Sequence, residues 1–314
     1  MSATDAAANA ARVPVAGRTS SGVRLRQSLA GWFFSLPFVL IFAVFLAIPL
    51  ITSFLLSFTS FGLRDLRNPV GASFIGLENY AELLGDPTFH TALINTAVYV
   101  VAGVPLTLIA GLAVAVALNG AVRRFRTLFR VGYYLPVVTS IVAIAVVWRF
   151  VLSPDQGLAN LLLRAVGLPG QNWLGNPALA MPAIIAMIVW KNLGFSMVIF
   201  LAGLQTIPTS LYEAARIDGA GKWQEFRYVT LPGLRPTMLF SVVTTTIGYL
   251  QIFEEPFVMT GGGPLDRTMS LSMYIYEEGF SFFHQGYAAA IAYVLFAIVA
   301  VVAVVQFRIL RSET

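Results

Sequence analysis

"QSLAGWFFSLPFVLIFAVFLAIPLITSFLLSFTSFGL", residues 27–63, contains no Asp, Glu, Lys or Arg. About 20 apolar residues in a helix cross a hydrocarbon core of roughly 30 Å, so this run is long enough to span a membrane. The apolar core of a secretory signal has roughly 7–15 residues, and no A-x-A-like cleavage site closes this one. It reads as a retained first transmembrane helix. Five more charge-free runs follow at 91–122, 131–148, 192–212, 236–253 and 279–307, each of 18 residues or more. Six spans are expected, at about 32–58, 91–118, 131–152, 178–204, 237–259 and 287–307. The expected fold is an all-α integral membrane protein.

Composition agrees. Of 314 residues, 57% are hydrophobic and only 11% charged, too few to cover a soluble domain of this size. The absence of cysteine excludes disulfides, thiol catalysis and Cys-based metal sites. Only His90 and His284 are histidines, both near expected helix ends, and they make no metal site. The net charge of +5 is not a nucleic-acid signal, because its distribution follows the membrane. With the N-terminus inside, 14 of the 20 Lys and Arg residues fall in the tails and in the 2–3 and 4–5 loops. The outer segments carry five, Arg64, Arg67, Arg149, Arg164 and Arg267, and Lys191 lies within a span. The positive-inside bias puts both termini in the cytoplasm.

Residues 1–28 are rich in Ala, Ser, Gly and Arg, lack an apolar period and read as a disordered tail. Residues 29–88 hold the first helix and an outer loop, and 89–310 a five-helix core with a cytoplasmic loop at 206–235. Trp32, Trp148 and Trp173 fall near expected interfaces, where amphipathic rings prefer to sit.

Within that loop lies "EAARIDGAGKWQEFRYVTLP", residues 213–232, where Glu213, Arg216, Asp218, Lys222, Glu225 and Arg227 interrupt an otherwise apolar chain. "SLYE" at 210–213 fits a capping box that starts a helix. "DGAG" at 218–221 breaks it, since glycine permits the turn. A second amphipathic turn carries Trp223, Phe226 and Val229 three apart. "LP" at 231–232 then ends it. The physical reading leaves two uses open: a helix pair resting in lipid headgroups, or one docked against another protein.

The spacing Glu213-Ala214-Ala215, three residues, Gly219, nine residues, Val229, one residue, Leu231-Pro232 resembles the EAA loop of ABC importer permeases. Val229 departs mildly, since the family usually has isoleucine there. "GLQTIP" (203–208), "IDGA" (217–220), "GLENY" (76–80), "NTAVYV" (95–100) and "TGGGPLDRT" (260–268) resemble the carbohydrate branch, related to the maltose permease. The resemblance covers roughly residues 30–310. It implies the type I importer permease fold, with Glu213, Ala214, Ala215, Asp218, Gly219, Leu231 and Pro232 docking a cytoplasmic ATPase dimer. It also implies a second homologous permease, an extracellular sugar-binding protein, and the bacterial cytoplasmic (inner) membrane as location. This chain would hold no cofactor, with Mg-ATP on the ATPase. The residues agree: "DGAGKW" lacks the rest of a Walker A motif, so if transport is ATP-driven another chain must hydrolyse the ATP.

Lys191 lies about 18 Å below the outer end of span 4, at 1.5 Å per residue. A charge there is costly and marks either function or a snorkelling lysine at a helix interface. Glu254 and Glu255 are candidate partners, roughly 10 Å away in depth. Spans 3–5 also offer Thr139, Ser140, Asn192, Phe195, Thr245, Tyr249 and Gln251, the hydrogen-bonding and aromatic groups a sugar path needs. Interhelical hydrogen bonding would use the same residue types. The maltose-type family binds sugar at this depth, and disaccharide, oligosaccharide and glycerol-phosphate relatives share these motifs. A secondary transporter would want carboxylates at span centres, which are not expected here. An intramembrane protease would want a Ser–His pair or H-E-x-x-H in the spans, and neither is present.

Overall fold

The computed structural model describes residues 21–67, 71–120 and 126–311. Expectations for residues 1–20 and for Arg123 and Arg124 lie outside these. Helix begins at Ser21, within the stretch expected to be disordered. Arg, Leu, Gln and Ala are good helix formers, and extending an existing helix avoids the cost of nucleation.

The chain forms two compact units that divide after Ser53. The first contains most of α1, Gly31–Leu56, with mean hydropathy 2.8 and none of that window buried. Pro37 lies inside the helix, and one π turn at Ala43–Ala47 follows it. Proline removes a backbone donor, and π turns accommodate such irregularities without ending the helix.

The second unit, from Phe54 onward, carries the other named helices: α2 (Glu78–Gly85), α3 (Pro87–Gly120), α4 (Thr127–Val138), α5 (Ile141–Val151) and α6 (Leu158–Ala165). There follow α7 (Ala180–Thr206), α8 (Thr209–Ile217), α9 (Lys222–Glu225), α10 (Arg235–Leu250), α11 (Glu254–Thr260), α12 (Leu271–Tyr276) and α13 (Gln285–Arg311). By length and composition, α1, α3, α7 and α13 each suffice to cross a membrane, and two bent pairs bring the total to the six expected.

The bends are corrections. Span 3 was expected as one helix; instead α4 and α5 meet at 99°. Pro136 lies within α4, and Ser140 is extended at φ −54°, ψ 127°. Span 5 bends by 42° between α10 and α11. Its cause is visible in the hydrogen bonds. A continuous helix would need the residue 256 N–H to reach the Ile252 carbonyl, and Pro256 has none. The Ser270 hydroxyl donates to that carbonyl at 2.6 Å instead. The Ile252 carbonyl freed at the break is therefore hydrogen-bonded, as a low-dielectric interior favours.

Helix α3 packs closely on α7 and α10 through small residues. A Cβ at Gly111 would stand 2.5 Å from Ser196 Cβ, and one at Gly103 would stand 2.1 Å from the Tyr249 ring. The Tyr249 ring occupies that gap, its hydroxyl 2.7 Å from Thr107 Oγ1.

Three of the signature stretches turn out to be clasps. Asn79 of "GLENY" donates to the carbonyls of Ser57 (2.8 Å) and Thr59 (3.0 Å). Asn95 of "NTAVYV" donates to those of Asp266 (2.6 Å) and Met269 (2.9 Å). Tyr99 donates to Thr268 at 3.1 Å, fastening "TGGGPLDRT" to the same helix. Asp86 caps α3 by accepting from the Thr88 N–H and also accepts from the hydroxyls of Tyr274 and Tyr287. Burial opposes its charge, but these hydrogen bonds outweigh it and hold the carboxyl below the usual aspartate range.

Candidate functional site

Two features stand out: the charged loop between α7 and α10, and a cavity between those same helices. In the loop, α8 starts at Thr209 with Pro208 at its N-cap, and no side chain caps it. The capping box expected at 210–213 is not formed. Its other end is a Schellman motif. Ala220 N–H donates to Ala215 O at 2.9 Å and Gly219 N–H to Arg216 O at 3.0 Å, with Gly219 at φ +81°. This left-handed position is why glycine stands there. Asp218 is the C-cap and is exposed.

After Gly221, α9 runs into a π turn at Phe226–Thr230 and a helical turn at Leu231–Gly233. "LP" therefore does not end the helix. Proline is tolerated in a first turn, where its missing N–H has no partner to lose. The π turn also breaks the expected stripe: Phe226 and Val229 are half-buried, whereas Trp223 is 73% exposed. Trp223 still stacks on Phe226, with ring centroids 5.6 Å apart.

The loop has two faces. Tyr212 and Val229 pack on a core cluster that includes Leu118, Phe200 and Leu204, and the Tyr212 hydroxyl meets Thr230 Oγ1 at 3.0 Å. Arg216 Nε donates to Glu225 Oε1 at 2.7 Å and ties α8 to α9. That hydrogen bond comes first in holding the Glu225 carboxyl below its ordinary range. The other face is exposed: Glu213, Ala214, Ile217 (87%), Trp223 and Tyr228 (72%). Ala215, Leu231 and Pro232 are half-buried.

The cavity, about 390 Å³, is lined by α7, α10 and the break before α11. It gathers Asn192, Phe195, Thr245, Tyr249 and Gln251, five of the eight residues expected along a substrate path. Sequence reasoning missed Ser196 and Thr244; Ser196, one turn after Asn192, was findable from helical spacing. Tyr249 contributes a wall rather than a free hydroxyl, since Thr107 engages it. Thr139 and Ser140 do not join. They sit exposed at the α4–α5 corner, where Thr139 donates to Leu135 O at 2.8 Å.

Lys191 does not line the cavity either. Its ammonium pairs with Glu255 at 3.5 Å, and Glu255 does line it. The roughly 10 Å gap expected from a straight span 5 is closed by the bend between α10 and α11. Glu255 is thus a buried carboxylate near the end of the α10–α11 pair, held against Lys191 of α7. Among the described residues no group of three or more His, Asp or Glu side chains is placed to hold a metal.

Residues 103–312 match the family described as "Binding-protein-dependent transport system inner membrane component". A lactose transport system permease protein of Rhizobium radiobacter is 37% identical over 95% of this chain and 100% of its own length. An arabinooligosaccharides transport system permease protein of Bacillus subtilis is 34% identical, over 96% of this chain and 95% of its own. Among solved structures, a bacterial alginate ABC transporter in complex with its pentasaccharide-bound periplasmic protein matches with TM-score 0.80 at 25% identity. That match covers 93% of this chain and 97% of the other. The chain is a multi-pass membrane protein belonging to the binding-protein-dependent transport system inner membrane components, the permease subunits of ABC importers rather than enzymes.

Proposed function

We propose that this chain is one of two permease subunits of an ATP-driven importer of a sugar or oligosaccharide in the bacterial cytoplasmic membrane. Its termini and charged loop face the cytoplasm. The loop docks one cleft of an ATPase dimer, which holds Mg-ATP. A different, homologous permease fills the second cleft and forms the other wall of the path. An extracellular binding protein delivers the sugar. The sugar-permease relatives and the uncommitted polar groups of the cavity support the cargo. Asymmetry of the pair suits a sugar, which has no two-fold axis.

The observation that carries the docking role is the two-faced loop. Its inner face is anchored to the bundle, while Glu213 and Ile217 on α8 and Trp223 on α9, either side of the Schellman turn, are presented outward. A helix pair that only rested on lipid would also expose Ile217 and Trp223, so a variant must decide. Ile217→Asp changes a surface position and leaves the bundle intact. Affinity purification through a tag on this chain is expected to recover the ATPase with the native loop and to lose most of it with Ile217→Asp. Equal recovery from both would favour a loop lying on lipid.

A further inference from the structure

The charges around the cavity restrict what it can hold, an inference that rests on the carbohydrate reading above. Two carboxylates line it, Glu254 and Glu255, and no Lys or Arg does. Glu255 is matched by Lys191 at 3.5 Å. Glu254 is exposed and has no ion-pair partner among the described residues. The formal balance, two negative groups against one positive, is therefore −1. Arg149 is directed elsewhere, with Nη1 3.4 Å from the Val258 carbonyl.

The remaining lining is of the kind that binds uncharged hydroxyls. No described residue hydrogen-bonds the side chains of Asn192, Thr245 or Gln251, so their donors and acceptors are open to a guest. Phe195, 41% exposed, offers a ring face against which an apolar sugar face can lie. An anionic group needs something different: a free guanidinium or ammonium, or a nest of converging N–H groups. Among the described residues no Lys or Arg lines the cavity, and Lys191, beside it, is already paired with Glu255.

We infer that this cavity takes saccharides without acidic groups, either neutral or carrying an amino group, and that Glu254 is the residue setting this preference. Sugar acids, sugar sulfonates and glycerol phosphates are disfavoured. Structural similarity to an importer of the acidic polysaccharide alginate would by itself suggest the opposite. Fold carries the path; the charges on its wall decide the cargo. Glu254 can accept a hydrogen bond from a hydroxyl or ammonium group and repels a carboxylate. At protein-like effective dielectric, a unit charge a few ångströms away is enough for about ten-fold discrimination or more.

The test uses the detergent-solubilised complex purified through this chain, without the binding protein, whose own selectivity would mask the cavity's. The probes are radiolabelled disaccharides of glucose, glucosamine and galacturonate at neutral pH. The native complex is expected to bind the galacturonate form about ten-fold or more weakly than the glucose form, and the glucosamine form at least as well. Glu254→Gln should narrow the difference, and Glu254→Lys should reverse it. Tightest native binding of the galacturonate form overturns the inference and leaves the carbohydrate reading standing. So does a preference that neither variant moves. No binding of any of the three overturns the carbohydrate reading, and this inference with it.

Discussion

Lys191→Met is expected to destabilise the protein by about 3–5 kcal/mol, the usual cost of removing one partner from a buried ion pair. The pair lies 3.5 Å apart with side chains 16% and 10% exposed, so Glu255 would keep its charge in a place with little water to solvate it. The double variant Lys191→Met with Glu255→Met removes both charges and keeps similar volume. It should recover most of the loss, because the desolvation penalty disappears with the charges. Thermal unfolding of the purified protein in detergent measures both. Equal losses in the single and double variants would mean that the positions matter for shape and the ion pair does not.

The second large effect comes from a hydrogen atom. At Gly194 on α7, an added Cβ would stand 2.0 Å from the Tyr133 carbonyl oxygen and 2.7 Å from its carbon. Both are backbone atoms of α4, so no side chain can swing aside; the two helices must separate. Gly194→Ala is expected to cost about 1–3 kcal/mol or more through overpacking. The control is Gly132→Ala, on α4, where nothing lies within 4 Å of the new methyl. Alanine there should be neutral or stabilising by up to about 1 kcal/mol through helix propensity. Melting temperatures that fall equally for both would show that α4 does not rest on α7 as described.

These two sites also mark where sequence reasoning reached and where it stopped. Charge-free runs overlap the four long apolar helices and the two bent pairs, since an unsolvated charge is costly enough in lipid to be rare within such segments. The DGAG break was legible because glycine at a helix end has one common use. Asn192, Phe195, Thr245 and Gln251 were found from residue type and depth. The bends were not legible. Transmembrane helices tolerate proline, and whether Pro256 breaks span 5 depends on Ser270, which arrives from a later segment to satisfy the Ile252 carbonyl. Once that bend is missed, the direct contact of Lys191 with Glu255 is missed with it. Thr139 and Ser140 failed for the same reason: a 99° corner turns residues expected at midspan onto an exposed edge. Trp223 fell off its stripe because a π turn shifts the helical register, and no residue in "FRYVT" announces one.

The central claim is that this chain forms the path for a cargo handed over outside and driven by ATP inside. Proteoliposomes containing the complex purified through this chain test it most directly. The binding protein and a radiolabelled neutral oligosaccharide are placed outside, and Mg-ATP is enclosed within. The account predicts accumulation that requires both ATP inside and the binding protein outside, and that Ile217→Asp in the loop abolishes. Accumulation driven by a proton or sodium gradient, with no ATP and no binding protein, would contradict it.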